Sequence, residues 1–530
     1  MGHSPVTVAG YAREDLAVAR PDENGTGIPA RRTAFDDLAD LAARLSWCWP
    51  ALLALVLGLY QMGRPVLWRD ELASWSFASR PVSGLIASAR HTGATQLAYY
   101  LLLHGWIAAF GDSADAMRTL SVLAMAGAAA CVALVGRHLA GDRAGLASGL
   151  VFALVPSVSR FAQEVRFYAP AVLVAMLATL LLLRALDRPT VPRWLAYAAC
   201  LALLGYFDLV ALSVVAGHVA GAVLRLWHDN NRRQLLFLPA VAIGLAACLP
   251  IVVAGASQAN GQIGWIARPS PTLTTFAFFG RNLFYSTSVA TALIVLALLA
   301  WAVTWREAAF MTALAIAPVL AVWLISQGPH SYFFPRYLLA TVGAWAILAG
   351  IGLSRLDARI AAAAVLVVAI LGAGDQQVIR EPGAHDWPAY PVGSGGAYND
   401  FAGAATFVAG QAKAGDGIVY QSKKAPWLMI GYGLQYYLAR DMPHGVPVPR
   451  ELFIARTAAQ AGTLYPVLCK HPAACLGSEP RIWVVGSGRL KSPYQAVTAA
   501  QGKALRAEHY RVTLIKRAQG LTVFLLTRAP

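Results

Sequence analysis

Between residues 48 and 374 the chain passes through apolar runs that recur too far apart, and run too long, for the strands of a soluble core. They lie near 48–63, 118–136, 144–159, 168–184, 194–207, 209–225, 235–254, 287–304, 307–325, 337–354 and 358–374. In lipid each backbone polar group must be satisfied inside its own segment, so runs of this kind are read as membrane helices. Composition agrees: 57% of the 530 residues are apolar and 13% are charged, against about 45–50% and about 25% in ordinary soluble domains. Beyond residue 375 the sequence becomes ordinary. "GIVYQ" (417–421), "RIWVVGSG" (481–488), "RVTLIKR" (511–517) and "LTVFLLTR" (521–528) read as strands, and 397–412 and 493–507 as helices. The expected fold class is a polytopic α-helical membrane protein with about eleven transmembrane helices over 46–374. A soluble mixed α/β domain follows over 375–530, and a polar, disordered cytosolic tail precedes over 1–45.

The net charge of +16 would point to nucleic acid in a soluble protein; here it reads as topology, and no nucleic-acid partner is expected. Eleven arginines fall in the short loops 136–143, 184–193, 225–234, 305–307 and 354–359, which lie on one side if 96–111 is not a span. That side is cytoplasmic by the positive-inside rule. The segment "QLAYYLLLHGWIAAFG" (96–111) then becomes an interfacial helix, and residues 64–117 and the C-terminal domain lie outside the cell membrane. Cys48, Cys131, Cys200 and Cys248 sit in predicted spans, whereas Cys469 and Cys475 in "CKHPAAC" are placed for a disulfide in an extracytoplasmic domain.

With that topology, "LWRDELASWSF" (67–77) stands on the outer face with Arg69, Asp70 and Glu71 together. One reading makes Asp70 the N-cap of a helix beginning at Glu71, with Trp68, Trp75 and Phe77 as belt residues. The other makes the charges functional, and more polar groups face the same way. "RFAQEVRFYAP" (160–170) brings Arg160, Gln163, Glu164, Arg166 and Tyr168; "HTGATQ" (91–96) brings His91 and Gln96; "GPHSYFFPRYLL" (328–339) brings His330, Tyr332, Arg336 and Tyr337. Charges at the membrane boundary mark function by default. A carboxylate can be a general base toward a hydroxyl, and arginines clamp phosphate oxygens. Aromatic and apolar walls suit a polyprenyl chain. Together these needs are those of a glycosyltransferase with a lipid-phosphate sugar donor. Arg268 and Arg281, in the outer loop 256–285, are weaker phosphate candidates.

The same stretches carry a resemblance. "RDE" in the first outer loop, "YYLLLHGW", "FGDSADAMRTLS", "GRHLAGDRAGLASGLVFALVPSVSRFAQEVRFYA" and the late "RYLL" resemble the GT-C glycosyltransferases, in particular bacterial relatives of protein O-mannosyltransferases and aminoarabinose transferases. The resemblance implies an outer loop with interfacial helices, Asp70 at the catalytic acidic position, and the "QEVRFYA" region and "RYLL" arginine near the donor phosphate. The chain departs from the family where "HTGATQ" replaces a Pro-rich "HPP".

The site expected on these grounds has Asp70 and Glu71 as catalytic carboxylates. Arg69, Arg166, Arg336, Tyr168 and Tyr337 would hold the donor phosphate, and Gln163, Glu164, His91, Gln96, His330 and Tyr332 would touch substrate. The expected activity is inverting transfer of a sugar, mannose before arabinofuranose, from polyprenyl phosphate to an acceptor hydroxyl outside the cell membrane. The acceptor class stays open among glycan, lipid, protein and secreted metabolite. No cofactor is specified, and a divalent metal is left open. Two competing readings are a transporter or lipid flippase, and an oligosaccharide ligase with a diphosphate-linked donor. Against the transporter, few ionisable residues fall in the spans, Asp208 and His218 being exceptions.

Overall fold

A computed structural model describes residues 45–229, 231–385, 398–421 and 428–529; the expected tail over 1–45 lies outside them except for its last residue. Five helices are long and apolar enough to cross a membrane: Ala114–Ala140, Tyr168–Asp187, Val210–Trp227, Trp305–Ile325 and Ala358–Val378. Three bent pairs pass the same test jointly, and Cys48–Leu59, Val191–Phe207 and Thr341–Leu353 are shorter apolar helices. These apolar segments of a polytopic membrane protein fall where the eleven runs lie in the sequence.

The breaks were not expected. The run 144–159 is two helices, Asp142–Leu154 and Pro156–Ala162, meeting at 66°. Val155 before the proline takes extended angles (φ −64°, ψ 126°), because the proline ring disfavours the helical region for its predecessor. The run 235–254 bends by 50° between Ala246 and Leu249, and Thr287–Val303 turns 97° from Leu273–Phe284. The run 337–354 becomes helical only at Thr341, after a short 3-10 turn at Pro335–Leu338. Each break at 155, 286 and 340 turns the chain beside the polar segments singled out above.

The segment that follows the first apolar helix is a cluster of short helices: Arg69–Ala78, Val82–Ala89 and Leu97–Phe110. At 14 residues the last is about 21 Å long, short of the ~30 Å of a hydrocarbon core. Its second half is pinned on two sides: His104 Nδ1 lies 2.8 Å from the Ala78 carbonyl, and Trp106 Nε1 donates to Ala116 O at 2.7 Å.

The C-terminal part is a mixed α/β unit. Its strands are β1 (Gly417–Tyr420), β2 (Arg450–Glu451), β3 (Ile454–Arg456), β4 (Val467–Leu468), β5 (Arg481–Ser487), β6 (Tyr510–Ala518) and β7 (Leu521–Arg528). The five-stranded sheet has order β2-β1-β5-β7-β6, parallel where β1 meets β2 and β5 and antiparallel at β5-β7 and β7-β6. Buried Trp483, Val485, Val523 and Leu525 face one core and Ile482, Val484, Phe524 and Leu526 another, the period-2 pattern of a sheet covered on both faces. The short hairpin β3-β4 is separate, and Cys469 is disulfide-bonded to Cys475.

The helix Ile430–Asp441, unmarked in the sequence, joins this unit to the short helices between residues 69 and 110. Tyr437 accepts from the Leu67 N–H at 3.0 Å, Tyr436 donates to Asp112 O at 3.1 Å, and Arg440 pairs with the Asp112 carboxylate at 2.6 Å. Trp75 donates to the same carboxylate at 2.9 Å.

Candidate active site

The loop that delivers "WRDE" is fixed by its backbone carbonyls. A helix end leaves carbonyls without partners inside the helix, and here side chains from distant elements take them. Gln163 Nε2 donates to Gly58 O and Tyr60 O at 2.9 Å each, and Arg380 donates to Leu57 O at 2.7 Å and Tyr60 O at 3.0 Å. Arg118 reaches Met62 O at 2.6 Å and Pro65 O at 2.8 Å.

The next helix begins at Arg69 after Trp68, so Asp70 is not its cap. Glu71 closes the turn instead, its Oε2 accepting the Trp68 N–H at 3.3 Å. Its carboxylate is fully buried with Arg118, Nε to Oε1 at 2.9 Å and Nη2 to Oε2 at 2.8 Å, and Oε1 also accepts the Val165 N–H at 3.0 Å. Glu71 and Gln163, expected as a catalytic and a substrate-contacting group, are both buried with their bonds directed to Arg118 and to backbone groups of the loop and of Val165. Glu164 is equally enclosed: Oε1 accepts from Trp68 Nε1 at 3.1 Å, and Oε2 from Arg160 at 2.8 Å. Burial drives its carboxyl above the ordinary range in spite of Arg160.

Asp70 is different. Its side chain is a quarter exposed, and Oδ2 lies 3.2 Å from Arg336 Nη1. Burial would raise this carboxyl, but the charges of Arg336, Arg166, Arg69 and Arg160 outweigh it and hold the group below its ordinary value. Arg336 sits among rings, 5.8 Å from Trp68, 5.6 Å from Tyr168, 5.1 Å from Phe334 and 5.7 Å from Tyr337. Among the described residues its Nε is buried without a hydrogen-bond partner, as are Arg166 Nε, Arg160 Nε and the Tyr168 hydroxyl. A void of about 20 Å³ between Trp68, Phe334 and His385 adjoins Arg160 and Arg336. Buried donors left open beside a solvent-reaching carboxylate are what an anion would satisfy.

Arg166 stacks near Phe167 and Tyr168 and approaches Ser74 Oγ at 3.4 Å. Gln96 joins this group at one remove, accepting from the Tyr100 hydroxyl at 2.6 Å while Tyr100 feels the Arg166 charge. Arg69 lies over Trp68 at 5.7 Å. The structure therefore gathers Asp70, Arg69, Arg166, Arg336, Tyr168, Tyr337 and Glu164. His91 does not join them; it is exposed and lies against Gly462 of the C-terminal unit. His330 and Tyr332 are half-buried on the segment that carries Arg336, without a hydrogen bond to the Asp70–Arg336 pair among the described residues.

Trp68, Arg118 and Arg160 hold places the sequence reading did not give them. The presence of Arg118 in "DAMRTLS" at a predicted span end was the one signal for it. Among the described residues no group of three or more His, Cys, Asp or Glu side chains stands together to hold a metal.

Residues 96–253 match the family model described as dolichyl-phosphate-mannose-protein mannosyltransferase. Among solved structures, the chain is similar to ArnT from Cupriavidus metallidurans crystallised with undecaprenyl phosphate. The TM-score is 0.54 at 15% identity, over 93% of this chain and 98% of that one. The apo form of ArnT matches at 0.56 and 14% identity with the same coverage. No curated protein matches the sequence. The chain thus shares the fold of ArnT over nearly the full length of both chains. The mannosyltransferase family is the one the chain resembles over the segment holding Gln96, Arg118, Glu164 and Arg166.

Proposed function

We propose that the protein is an inverting glycosyltransferase that moves a sugar from polyprenyl phosphate to an acceptor hydroxyl on the outer face of the cell membrane, with mannose the first candidate and arabinofuranose the second. The observation that carries this is the position of Asp70: a partly accessible carboxylate against Arg336, ringed by aromatic walls and by buried guanidinium donors without hydrogen-bond partners among the described residues. The family match over 96–253 and the ArnT likeness support the donor class. In this reading residues 46–374 form the catalytic membrane body and 375–530 an extracytoplasmic domain.

The donor phosphate is a diester with one negative charge. In the resting protein Arg336 neutralises Asp70; an arriving phosphate draws Arg336, with Arg166, onto its oxygens and releases the carboxylate. Asp70 then takes the acceptor proton as the acceptor oxygen bonds to the anomeric carbon. The bond from that carbon to the phosphate oxygen breaks on the opposite face, and a second charge develops on the leaving phosphate, where the guanidinium groups meet it. Tyr168, Tyr337 and Phe334 suit the first isoprene units.

The test is transfer by the purified protein in lipid discs, offered monophosphate- and diphosphate-linked polyprenyl sugars. Transfer from the monophosphate donor with inversion at the anomeric carbon is expected. Exclusive use of the diphosphate donor would make the protein an oligosaccharide ligase, and no transfer from either would overturn the reading.

A further inference from the structure

We propose that the cavity between the helix Arg69–Ala78 and the C-terminal unit is the acceptor site, and that it takes a neutral saccharide; this rests on the transferase reading above. The cavity holds about 430 Å³, the size of a small-molecule site. Trp75 lines it from the helix that carries Asp70, and Tyr432, Tyr465, Gln435 and Glu451 line it from the C-terminal unit. Trp75, Ser76 and Ser79 bring the cavity to the helix that begins at Arg69 and carries Asp70, and the charges of Arg69 and Asp70 reach Tyr465 on its far wall.

The lining chemistry selects among acceptors. Ring faces at Trp75, Tyr432 and Tyr465 match the apolar C–H face of a sugar ring; the Tyr432 hydroxyl is already donated to Leu464 O at 2.8 Å, leaving its face as the contact. Gln435 Nε2 donates to Glu451 Oε2 at 2.9 Å. This amide–carboxyl pair keeps further lone pairs and a second amide hydrogen for adjacent hydroxyls. Burial moves the Glu451 carboxyl up to about 7, so near neutral pH it both donates and accepts.

An anionic acceptor would meet the Glu451 carboxyl in the lining, which carries negative charge part of the time near neutral pH. Arg80 is the one basic side chain in the lining among the described residues. Its Nη1 donates to Ser88 Oγ at 2.6 Å and its Nη2 to Thr463 O at 2.8 Å, and it stacks 4.5 Å from the Phe77 ring, while its Nε is buried without a hydrogen-bond partner among the described residues. A peptide adding itself as a strand is disfavoured, because the edge strand β2 offers only two residues, Arg450 and Glu451.

The experiment is saturation-transfer NMR on the full-length protein in lipid discs. The probes are mannotriose, maltotriose and lactose, tested beside trigalacturonate and a serine-rich peptide. Saturation of at least one neutral sugar and neither of the other two probes is expected. Tyr465→Ala and Gln435→Ala should each weaken that binding about tenfold, the worth of one good contact, while Tyr465→Phe restores it. Binding should persist in Asp70→Asn, which separates this site from the chemistry: a protein that binds the sugar but never transfers would sink the transferase reading alone. No saturation of any neutral sugar, stronger saturation of the acid or the peptide, or indifference to both alanine variants would overturn the acceptor site.

Discussion

Arg336 Nη1 lies 3.2 Å from Asp70 Oδ2, while the adjacent Glu71 is sealed against Arg118 with no exposed side-chain surface on either partner. Two neighbouring carboxylates thus have opposite conditions. One can exchange its arginine for a substrate; the other has spent its acceptor sites on a guanidinium and two backbone N–H groups.

Asp70→Asn should lose transfer by about 10²–10⁴-fold if proton removal limits turnover, with folding and donor binding intact. Because the free carboxyl is held below its ordinary value, it stays ionised as pH falls through the usual Asp range near 3.9. The acid limb of kcat/KM therefore lies below that range. Once the phosphate has drawn Arg336 away, the same carboxyl regains part of its affinity for a proton, so the acid limb of kcat should lie at higher pH than that of kcat/KM. Initial rates over pH check both; an unchanged rate in Asp70→Asn would leave Asp70 a tether for Arg336.

Arg336→Lys and Arg166→Lys keep the charge but lose the planar fork that fits two phosphate oxygens. Each should raise KM for the lipid donor and lower kcat, about tenfold or more for one charge-assisted hydrogen bond. Wild-type kinetics in both would reassign these arginines to packing against their aromatic neighbours.

Glu71→Gln should behave as a stability variant. Breaking one partner of a fully buried ion pair costs about 3–5 kcal/mol. The thermal midpoint should fall sharply, with the surviving folded fraction turning over at near the wild-type rate. A chemical role would reverse this, leaving the midpoint in place and removing the rate.

The arginine-dense loops predict that the C-terminal domain faces outward. A C-terminal alkaline phosphatase fusion, active only outside the cytoplasm, should be active, and a fluorescent fusion that matures only in the cytoplasm should be dark. The opposite pair of results would reverse the topology and move Asp70 to the cytoplasmic face.

What was legible in the sequence follows the range of the interactions. Apolar length and short apolar runs bounded by turn residues are local signals, and they located the spans and the strands β1, β5, β6 and β7 closely. The gathering of outer charges was legible because each polar segment follows or precedes an apolar run. Which carboxylate is enclosed was not, since Glu71 meets Arg118 across 47 positions and Val165 across 94. Gln163 misled for the same reason: its partners, Gly58 and Tyr60, are backbone carbonyls more than a hundred residues earlier. The helix Ile430–Asp441 carries two glycines within "GYGLQYY", which weaken helix propensity, and its tyrosines acquire a purpose only against Leu67 and Asp112.

That helix also limits how such proteins can be re-engineered. Tyr437 on Leu67 and Tyr436 and Arg440 on Asp112 fasten it to the two ends of the outer loop. An exchange of acceptor preference by grafting a foreign C-terminal domain must therefore carry residues 430–441 and their docking partners as one cassette. A graft joined in the linker after Val378 alone would bring a new binding surface and leave the segment that aims Asp70 without its brace.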